Sequence, residues 1–361
     1  MSGDDIREVR QGEELDLEKL VPYLQEHIED FGSHVQVKQF GAGHSNLTYL
    51  VEHAPHAGAP TSDLVLRRPP WGAESIATGH DMGREFGVLS RLHPVWDRVP
   101  EPLLFCEDRT VIGAPFYVME RVDGEILRGP KPAALRGAEP TQVASICEAL
   151  VSTLAEIHTI DLDAAGLADF GKPEGYIARQ VTGWTKRWQR ARTGDVPAVE
   201  AVATWLASHM PEPQRASLIH NDFKYDNLVL DPEDLSEVRA VLDWEMATIG
   251  DPLMDLGTSL AYWVEASDPA PLQHLRFGPT TLEGNDTRAE LVERYAARTG
   301  LDTSNILFYY AYGLFKVAVV AEQIYARYKK GLTRDERFAG LHIAVQTLGE
   351  AAKKAIDTDT I

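Results

Sequence analysis

Residues 218–256 read LIHNDFKYDNLVLDPEDLSEVRAVLDWEMATIGDPLMDL, and their pattern decides the fold. Asp222, Lys224, Asn227 and Asp243 stand within them. Leu228–Leu230 and residues 238–242 are short apolar runs. Between them Asp231-Pro232-Glu233-Asp234 signals a turn, because proline presets φ and aspartate side chains bond nearby backbone. The combination predicts a hairpin with a medium-length loop. Such a hairpin sets Asn227, just before its first strand, beside Asp243, just after its second. An amide and a carboxylate are both hard oxygen donors. Mg²⁺ suits that pair, since it takes few protein ligands and completes its octahedron with waters and phosphate oxygens.

The spacing His220-x-Asp222-x-x-x-x-Asn227 is the order of a kinase catalytic loop. There the aspartate accepts the substrate hydroxyl's proton and the asparagine binds Mg²⁺. Lys224 follows the acid by two residues in a loop that must handle phosphate, so it is read as neutralising the transferred group; the plainer account is a solvated lysine. His220 is read as a buried hydrogen-bonding post rather than a titrating catalyst, because Asp222 is the better base. Asp251-Pro252 predicts a helix start, with an N-cap aspartate and proline at the first helical position, and a helix over 253–264. Asp255 falls in its first turn. It is either an acid favoured by the helix dipole or a buried acid that holds the catalytic loop.

Upstream, residues 16–30 suggest a short amphipathic helix through Leu17, Leu20, Leu24 and Ile28, with Pro22 awkwardly placed. Strands are expected at 35–40, 47–51, 64–67, 103–106 and 116–119, in a mostly antiparallel sheet. The segment 53–63 reads as a loop by composition. A helix over 80–92 should turn Phe86, Leu89 and Leu92 inward. Gly41-Ala42-Gly43-His44-Ser45-Asn46 lies between the first two strands. It is either an ordinary hairpin loop or a backbone N–H cradle for phosphates, with Ser45 as an added donor. Arg67 shares a strand face with Val65, within reach of Glu85 on the helix, and Arg68 points to the other face. After a hinge at 122–124 the pattern turns helical. Val143, Ile146, Leu150, Leu154 and Ile157 make one stripe, and Ile177, Val181, Trp184 and Trp188 make another. Arg179, Lys186 and Arg190 share the opposite face of that second helix, either as a solvated surface or as an anion-binding edge for substrate. Residues 308–328 are apolar over most of a helical circumference and predict a buried helix.

The chain has 361 residues, for which two domains are the natural expectation. A net charge of −20 argues against a nucleic-acid partner bound through its phosphates. No apolar run reaches the roughly 18 residues of a membrane span, and Lys316 and Glu322 interrupt the best candidate. The polar, acidic first residues do not read as a secretory signal. Cys106 and Cys147 show no metal or redox spacing. The expectation is a soluble cytoplasmic protein with free thiols and a small-molecule partner.

Together, His220–Asn227, Val241-Leu242-Asp243-Trp244-Glu245 and Gly250-Asp251-Pro252 resemble the aminoglycoside phosphotransferase and choline kinase family. The likeness runs from FGAGHSNLTYLV through VLRRPP, REFGVLSRL and FYVMERVDG to the C-terminal helices. It implies an α+β, bilobal protein-kinase-like fold: a small antiparallel-sheet lobe over 1–122 for nucleotide, and a larger helical lobe over 123–361 carrying the hairpin, the catalytic loop and the substrate site. It implies ATP and Mg²⁺, with ATP between the lobes, Asp222 as base, Asn227 and Asp243 as metal ligands, and Lys224 on the phosphate. It further implies that Gly41, Gly43 and Ser45 meet phosphates, and that Glu85 is the helix acid. Met119, Glu120 and Val122 would receive adenine, and Asp255 would brace the catalytic loop. Arg67 stands where kinases usually have lysine, and its wide planar fork is not a simple replacement. GYIARQVTGW and FYYAYGLFKVAVVAEQIYARYKKG are similar to the kinase-like domain found in front of some acyl-CoA dehydrogenases, which implies a hydroxyacyl-CoA acceptor. An amino sugar or amino alcohol kinase and a non-catalytic nucleotide-binding module are the competing readings.

Overall fold

The alternating runs of the first third pair into one antiparallel sheet. The structure is a computed structural model that describes residues 6–41, 46–70, 81–333 and 335–361. Gly43, His44, Ser45 and His80 therefore lie outside the described residues. Strands β1 (Ile6–Arg7), β2 (His34–Phe40), β3 (Leu47–Ala54), β4 (Ser62–Arg68), β5 (Pro102–Cys106) and β6 (Phe116–Glu120) stand in the order β1-β2-β3-β4-β6-β5. Period-two alternation gives the sheet two chemically different faces. Tyr49, Val51, Leu66, Phe116 and Val118 line one face, where Leu20 and Leu24 of helix Leu17–His27 close a core. Leu17, expected inward, is exposed instead. The other face carries Arg67, opposite Tyr117 in the β4–β6 register. Helix Met82–Leu92 buries Glu85, Val88 and Leu89, and its Phe86 stacks on Phe105 of β5 rather than entering the core fully. Asp81 caps that helix by accepting the Arg84 N–H at 3.0 Å. The loop expected over 53–63 is shorter than its composition suggests. His53 pairs with Ser62, so the ladder continues through polar residues.

The hairpin forms in the expected place. Leu228–Leu230 runs antiparallel to Val238–Val241, with Leu228 opposite Val241 and an irregularity between Val229 and Leu230. Asp231 Oδ1 makes the turn by accepting the N–H groups of Glu233 and Asp234 at 2.7 and 3.2 Å. Val229, Ala240 and Ile126 form a small core of their own. Glu125 and Leu230 exchange both backbone hydrogen bonds at 2.8 Å. A Cβ at Gly124 would sit 2.4 Å from the Leu230 carbonyl oxygen, so only glycine permits that approach.

The chain folds as two compact units. One holds the chain up to Ile126 together with Leu228–Asp234 and Val238–Ala247; the other holds Leu127–Asn227, Leu235–Glu237 and Thr248–Ile361. In this division the hairpin falls in the unit of the sheet, and the first boundary follows Ile126. The bonds to Glu125, and one from the Val241 N–H to the Arg98 carbonyl at 2.8 Å, are the physical reason.

The second unit contains helices Pro140–Thr159, Tyr176–Ala191, Pro197–Ser208, Pro252–Tyr262, Ala270–Gln273, Arg288–Thr299, Ile306–Lys329 and Leu341–Thr358. Strands Ser217–Ile219 and Thr248–Gly250 pair antiparallel, and the loop bearing Asp222 leaves the first of them. Pro252 opens its helix after Asp251, whose Oδ1 accepts the Leu253 N–H at 2.8 Å. Helix Ile306–Lys329 is buried along most of its length, as its composition requires. It meets helix Pro252–Tyr262 backbone to backbone, since a Cβ on Gly313 would lie 2.0 Å from the Gly257 carbonyl oxygen. No helix among the described residues is long and apolar enough to cross a membrane.

Candidate functional site

In the sheet unit, chemistry gathers around Arg67. Its Nη1 donates to Glu85 Oε1 at 2.5 Å and its Nη2 to Asp243 Oδ1 at 3.1 Å, with Glu245 Oε2 at 3.9 Å. The pairing of Arg67 with Glu85 read from the strand face is therefore present. Burial opposes the guanidinium's charge, but Glu85 first, then Tyr117, Asp243 and Glu245, hold its pKa well above the ordinary value. Burial pushes the Glu85 carboxyl up to about 7 against the pull of Arg67. A guanidinium does not deprotonate in proteins, so Arg67 is the fixed charge and Glu85 the responsive partner. Arg68 takes the opposite face, where its Nη1 donates to the Ile112 carbonyl at 2.8 Å.

Asp243 follows the hairpin with φ of 69°, a left-handed conformation that few residues other than glycine adopt. Trp244 secures that turn by donating from Nε1 to the Val241 carbonyl at 2.9 Å. The Asp243 side chain is 34% exposed, which leaves its carboxylate accessible beyond Arg67. Asn46 Nδ2 donates to Glu245 Oε2 at 2.9 Å, tying the end of the glycine loop to the residue two past Asp243. Gly41 lies beside the Arg7 guanidinium. Met119 is buried and Glu120 exposed, and Val122 packs on the Ile126–Val229–Ala240 core.

In the helical unit, Asp255 is fully buried and accepts three hydrogen bonds. Its Oδ2 takes the His220 N–H at 2.6 Å and His158 Nε2 at 3.1 Å, and its Oδ1 takes the Asn221 N–H at 2.8 Å. Burial alone would raise its pKa, but His158 and the His220 N–H hold it below the ordinary carboxylate value. Asp255 thereby holds the backbone that leads into Asp222. His220 is wholly buried, and its Nδ1 accepts the Asp222 N–H at 3.2 Å, as a hydrogen-bonding post would.

Asp222 itself is held from several sides. Tyr262 donates its hydroxyl to Oδ1 at 2.7 Å, and the Lys224 ammonium donates to Oδ2. Asn227 Nδ2 donates to the Asp222 carbonyl at 2.8 Å and to Oδ2 at 3.3 Å. With its nitrogen so occupied, Asn227 keeps its amide oxygen as an acceptor, which is the group a cation needs. Lys224 and Tyr262 also line a pocket that opens to solvent. Leu150, Leu154, Leu256, Leu260 and Phe277 supply apolar wall, and Asp226 supplies a carboxyl whose pKa burial raises.

Arg179, Lys186 and Arg190 are exposed, and none of them lines this pocket. Arg179 donates to the carbonyls of Lys172 and Glu174, just before its helix. Trp184 and Trp188 are buried, as the apolar stripe requires.

His158, Tyr262 and Lys316 are the neighbours that sequence reasoning did not single out for this loop. His158 bridges Asp255 to the Tyr295 hydroxyl, which is 2.7 Å from its Nδ1. Lys316 is a buried cation in an apolar helix, and that anomaly was the available signal. Tyr262 at the end of its helix gave none.

Known proteins resemble this chain over nearly its whole length. The sequence pattern of the phosphotransferase enzyme family matches residues 36–291. Acyl-CoA dehydrogenase family member 11 of Rattus norvegicus is 36% identical over 356 residues, which is 96% of this chain and 44% of that protein. The chain thus spans less than half the length of that relative. A Ralstonia eutropha JMP134 protein, provisionally named an aminoglycoside phosphotransferase, aligns with a TM-score of 0.78 at 29% identity, covering 96% of this chain and 99% of the other. Choline kinase from Cryptosporidium parvum Iowa II aligns with a TM-score of 0.64 at 14% identity, covering 95% and 97%. The α+β, protein-kinase-like fold is therefore the fold of this chain.

Proposed function

The chain belongs to the phosphotransferase enzyme family, and from that membership we propose that it transfers a phosphoryl group from ATP, with Mg²⁺, to a hydroxyl of a small molecule. The observation that carries the reading is the setting of Asp222. Its carboxylate is oriented by Tyr262 and Lys224, and both of those side chains also line an apolar pocket. A hydroxyl presented from that pocket would lose its proton to Asp222 as the bond to phosphorus forms. Lys224 would then neutralise charge on the transferred group. Phosphoryl transfer is mostly positioning and electrostatic stabilisation, which such an array supplies.

Arg67 would serve where kinases use lysine, held by Glu85 and presenting a guanidinium to phosphate oxygens. Gly41, Gly43 and Ser45 would cradle phosphates, and Met119, Glu120 and Val122 would receive the adenine. Asp243 and Asn227 each offer a hard oxygen donor of the kind that Mg²⁺ prefers. Bound there, Mg²⁺ would supply positive charge against the phosphates.

For the acceptor the proposal is a hydroxyacyl-CoA. The kinase-like stretch of a protein named for acyl-CoA dehydrogenase matches this chain, and the leucine-lined pocket suits an acyl chain. A polycationic amino sugar would instead want several carboxylates in that wall. The test is ADP formation from ATP with hydroxyacyl-CoAs, amino sugars and choline analogues offered separately. Turnover confined to the hydroxyacyl-CoAs supports the assignment; turnover on amino sugars alone overturns the acceptor, and turnover on none overturns the reading.

A further inference from the structure

Helix Ile306–Lys329 is apolar over most of its buried length, but it buries two charged side chains, Lys316 near its middle and Glu322 further on. Lys316 is 3% exposed. An ammonium so placed is unfavourable unless hydrogen bonds and nearby charge compensate it. Its Nζ donates to the Asn221 carbonyl at 2.6 Å and lies 3.5 Å from Thr258 Oγ1. Asn221 has φ of 68°, the left-handed region that residues other than glycine rarely enter. Its own N–H goes to Asp255 Oδ1 at 2.8 Å, and the next N–H, that of Asp222, goes to His220 Nδ1 at 3.2 Å. The Asn221 side chain meets the Tyr176 hydroxyl at 3.3 Å. The peptide joining Asn221 to Asp222 is thus gripped at its N–H by His220 and at its carbonyl by Lys316.

We infer that Lys316 is a positioning residue: by holding the Asn221 carbonyl it fixes the peptide from which Asp222 springs, and so the direction of the Asp222 carboxylate. The inference rests on the proposed role of Asp222. Groups from three neighbouring segments face the ammonium. Asp255 and Asp222 favour its charge, Lys224 and Arg187 oppose it, and the Trp184 ring centre lies 5.9 Å away. Burial is the largest influence and draws its pKa down to about 8. The hydrogen bond that compensates this buried ammonium is the one that holds the Asn221 carbonyl.

The test compares wild type with Lys316→Met and Lys316→Arg by two readouts. One is kcat for phosphoryl transfer, with the Kd of Mg·ATP as the control. The other is amide hydrogen exchange of the peptide containing Asn221 and Asp222. In folded Lys316→Met, kcat should fall on the order of 100-fold, the size expected for a small misplacement of a reacting group. The Kd should stay within about threefold of wild type, since the nucleotide is not touched. Exchange at Asn221–Asp222 should quicken by about tenfold or more while the helices keep their protection. Lys316→Arg keeps the charge but changes its reach, so it should also lose kcat, by roughly tenfold or more. It carries both readouts if the methionine variant does not fold. Wild-type kcat in the folded arginine variant, or wild-type loop exchange in either folded variant, overturns the inference. If wild type transfers phosphate to no acceptor, the functional reading falls, and loop exchange still decides whether Lys316 grips the peptide.

Discussion

Replacing Asp255 by asparagine should weaken the helical unit and the loop that carries Asp222 together. The carboxylate serves three donors: His220 N–H and His158 Nε2 on Oδ2, and Asn221 N–H on Oδ1. Asparagine has one acceptor oxygen and an NH₂. With the oxygen in the Oδ2 place, the NH₂ confronts the Asn221 N–H, donor against donor. A hydrogen bond to a charged group is worth about 1.5–3 kcal/mol, and the stranded buried donor costs about 1–3 kcal/mol more. Asp255 is 0% exposed, so solvent screening does not soften either effect. About 3–5 kcal/mol of destabilisation follows, the range seen when one partner of a buried charged pair is removed. Urea unfolding of wild type and variant at neutral pH measures it, with a probe in the helical unit because the chain has two units. The pH dependence carries a second signature. Asp255 has a depressed folded pKa, so its contribution is present above the ordinary carboxylate value and disappears as pH falls through the folded value. The two proteins should therefore converge in acid. A difference below about 0.5 kcal/mol at neutral pH, typical of an inconsequential surface change, would refute the brace.

Asp243→Ala should keep the fold and abolish the Mg²⁺-dependent part of nucleotide binding, which calorimetry with and without Mg²⁺ reads directly. Lys316 has a folded pKa of about 8 against an ordinary 10.5, so the unfolded chain binds the extra proton between those values and wild-type stability should rise with pH across that window. The rise should be up to about 3 kcal/mol relative to Lys316→Met, measured by urea unfolding at several pH values. Charge reversal to glutamate at Arg179, Lys186 and Arg190 together should leave KM for the acceptor within about threefold, because all three are exposed and none lines the pocket. A larger rise would make that helix face the anchor for the anionic end of the acceptor.

The parts that could be read from sequence are those whose signal is local. The hairpin announced itself through two apolar runs and a turn rich in aspartate and proline, and the sheet through period-two alternation. The order of Asp222, Lys224 and Asn227 is fixed by a few residues of loop. What stayed hidden depends on residues brought together from afar. His158 and Asp255 share a hydrogen bond across 97 positions, and Lys316 reaches Asn221 across 95, so no window of pattern links them. The placement of the hairpin in the sheet unit rests on backbone bonds of Leu230 with Glu125 and of Val241 with Arg98, and backbone bonding leaves little trace in side-chain identity. Helical periodicity put Arg179, Lys186 and Arg190 on one face but could not say what that face meets. The polar pair His53 and Ser62 extended a ladder where composition suggested only loop.

The central claim is that Asp222 takes the proton from an acceptor hydroxyl while phosphate moves to it. The direct measurement is turnover of Asp222→Asn beside its affinity for Mg·ATP, on the acceptor that wild type phosphorylates. The account predicts a kcat lower by about 10²–10⁴-fold, the usual contribution of a positioned general base, with Kd for Mg·ATP near the wild-type value. Turnover at the wild-type rate in the asparagine variant would contradict it.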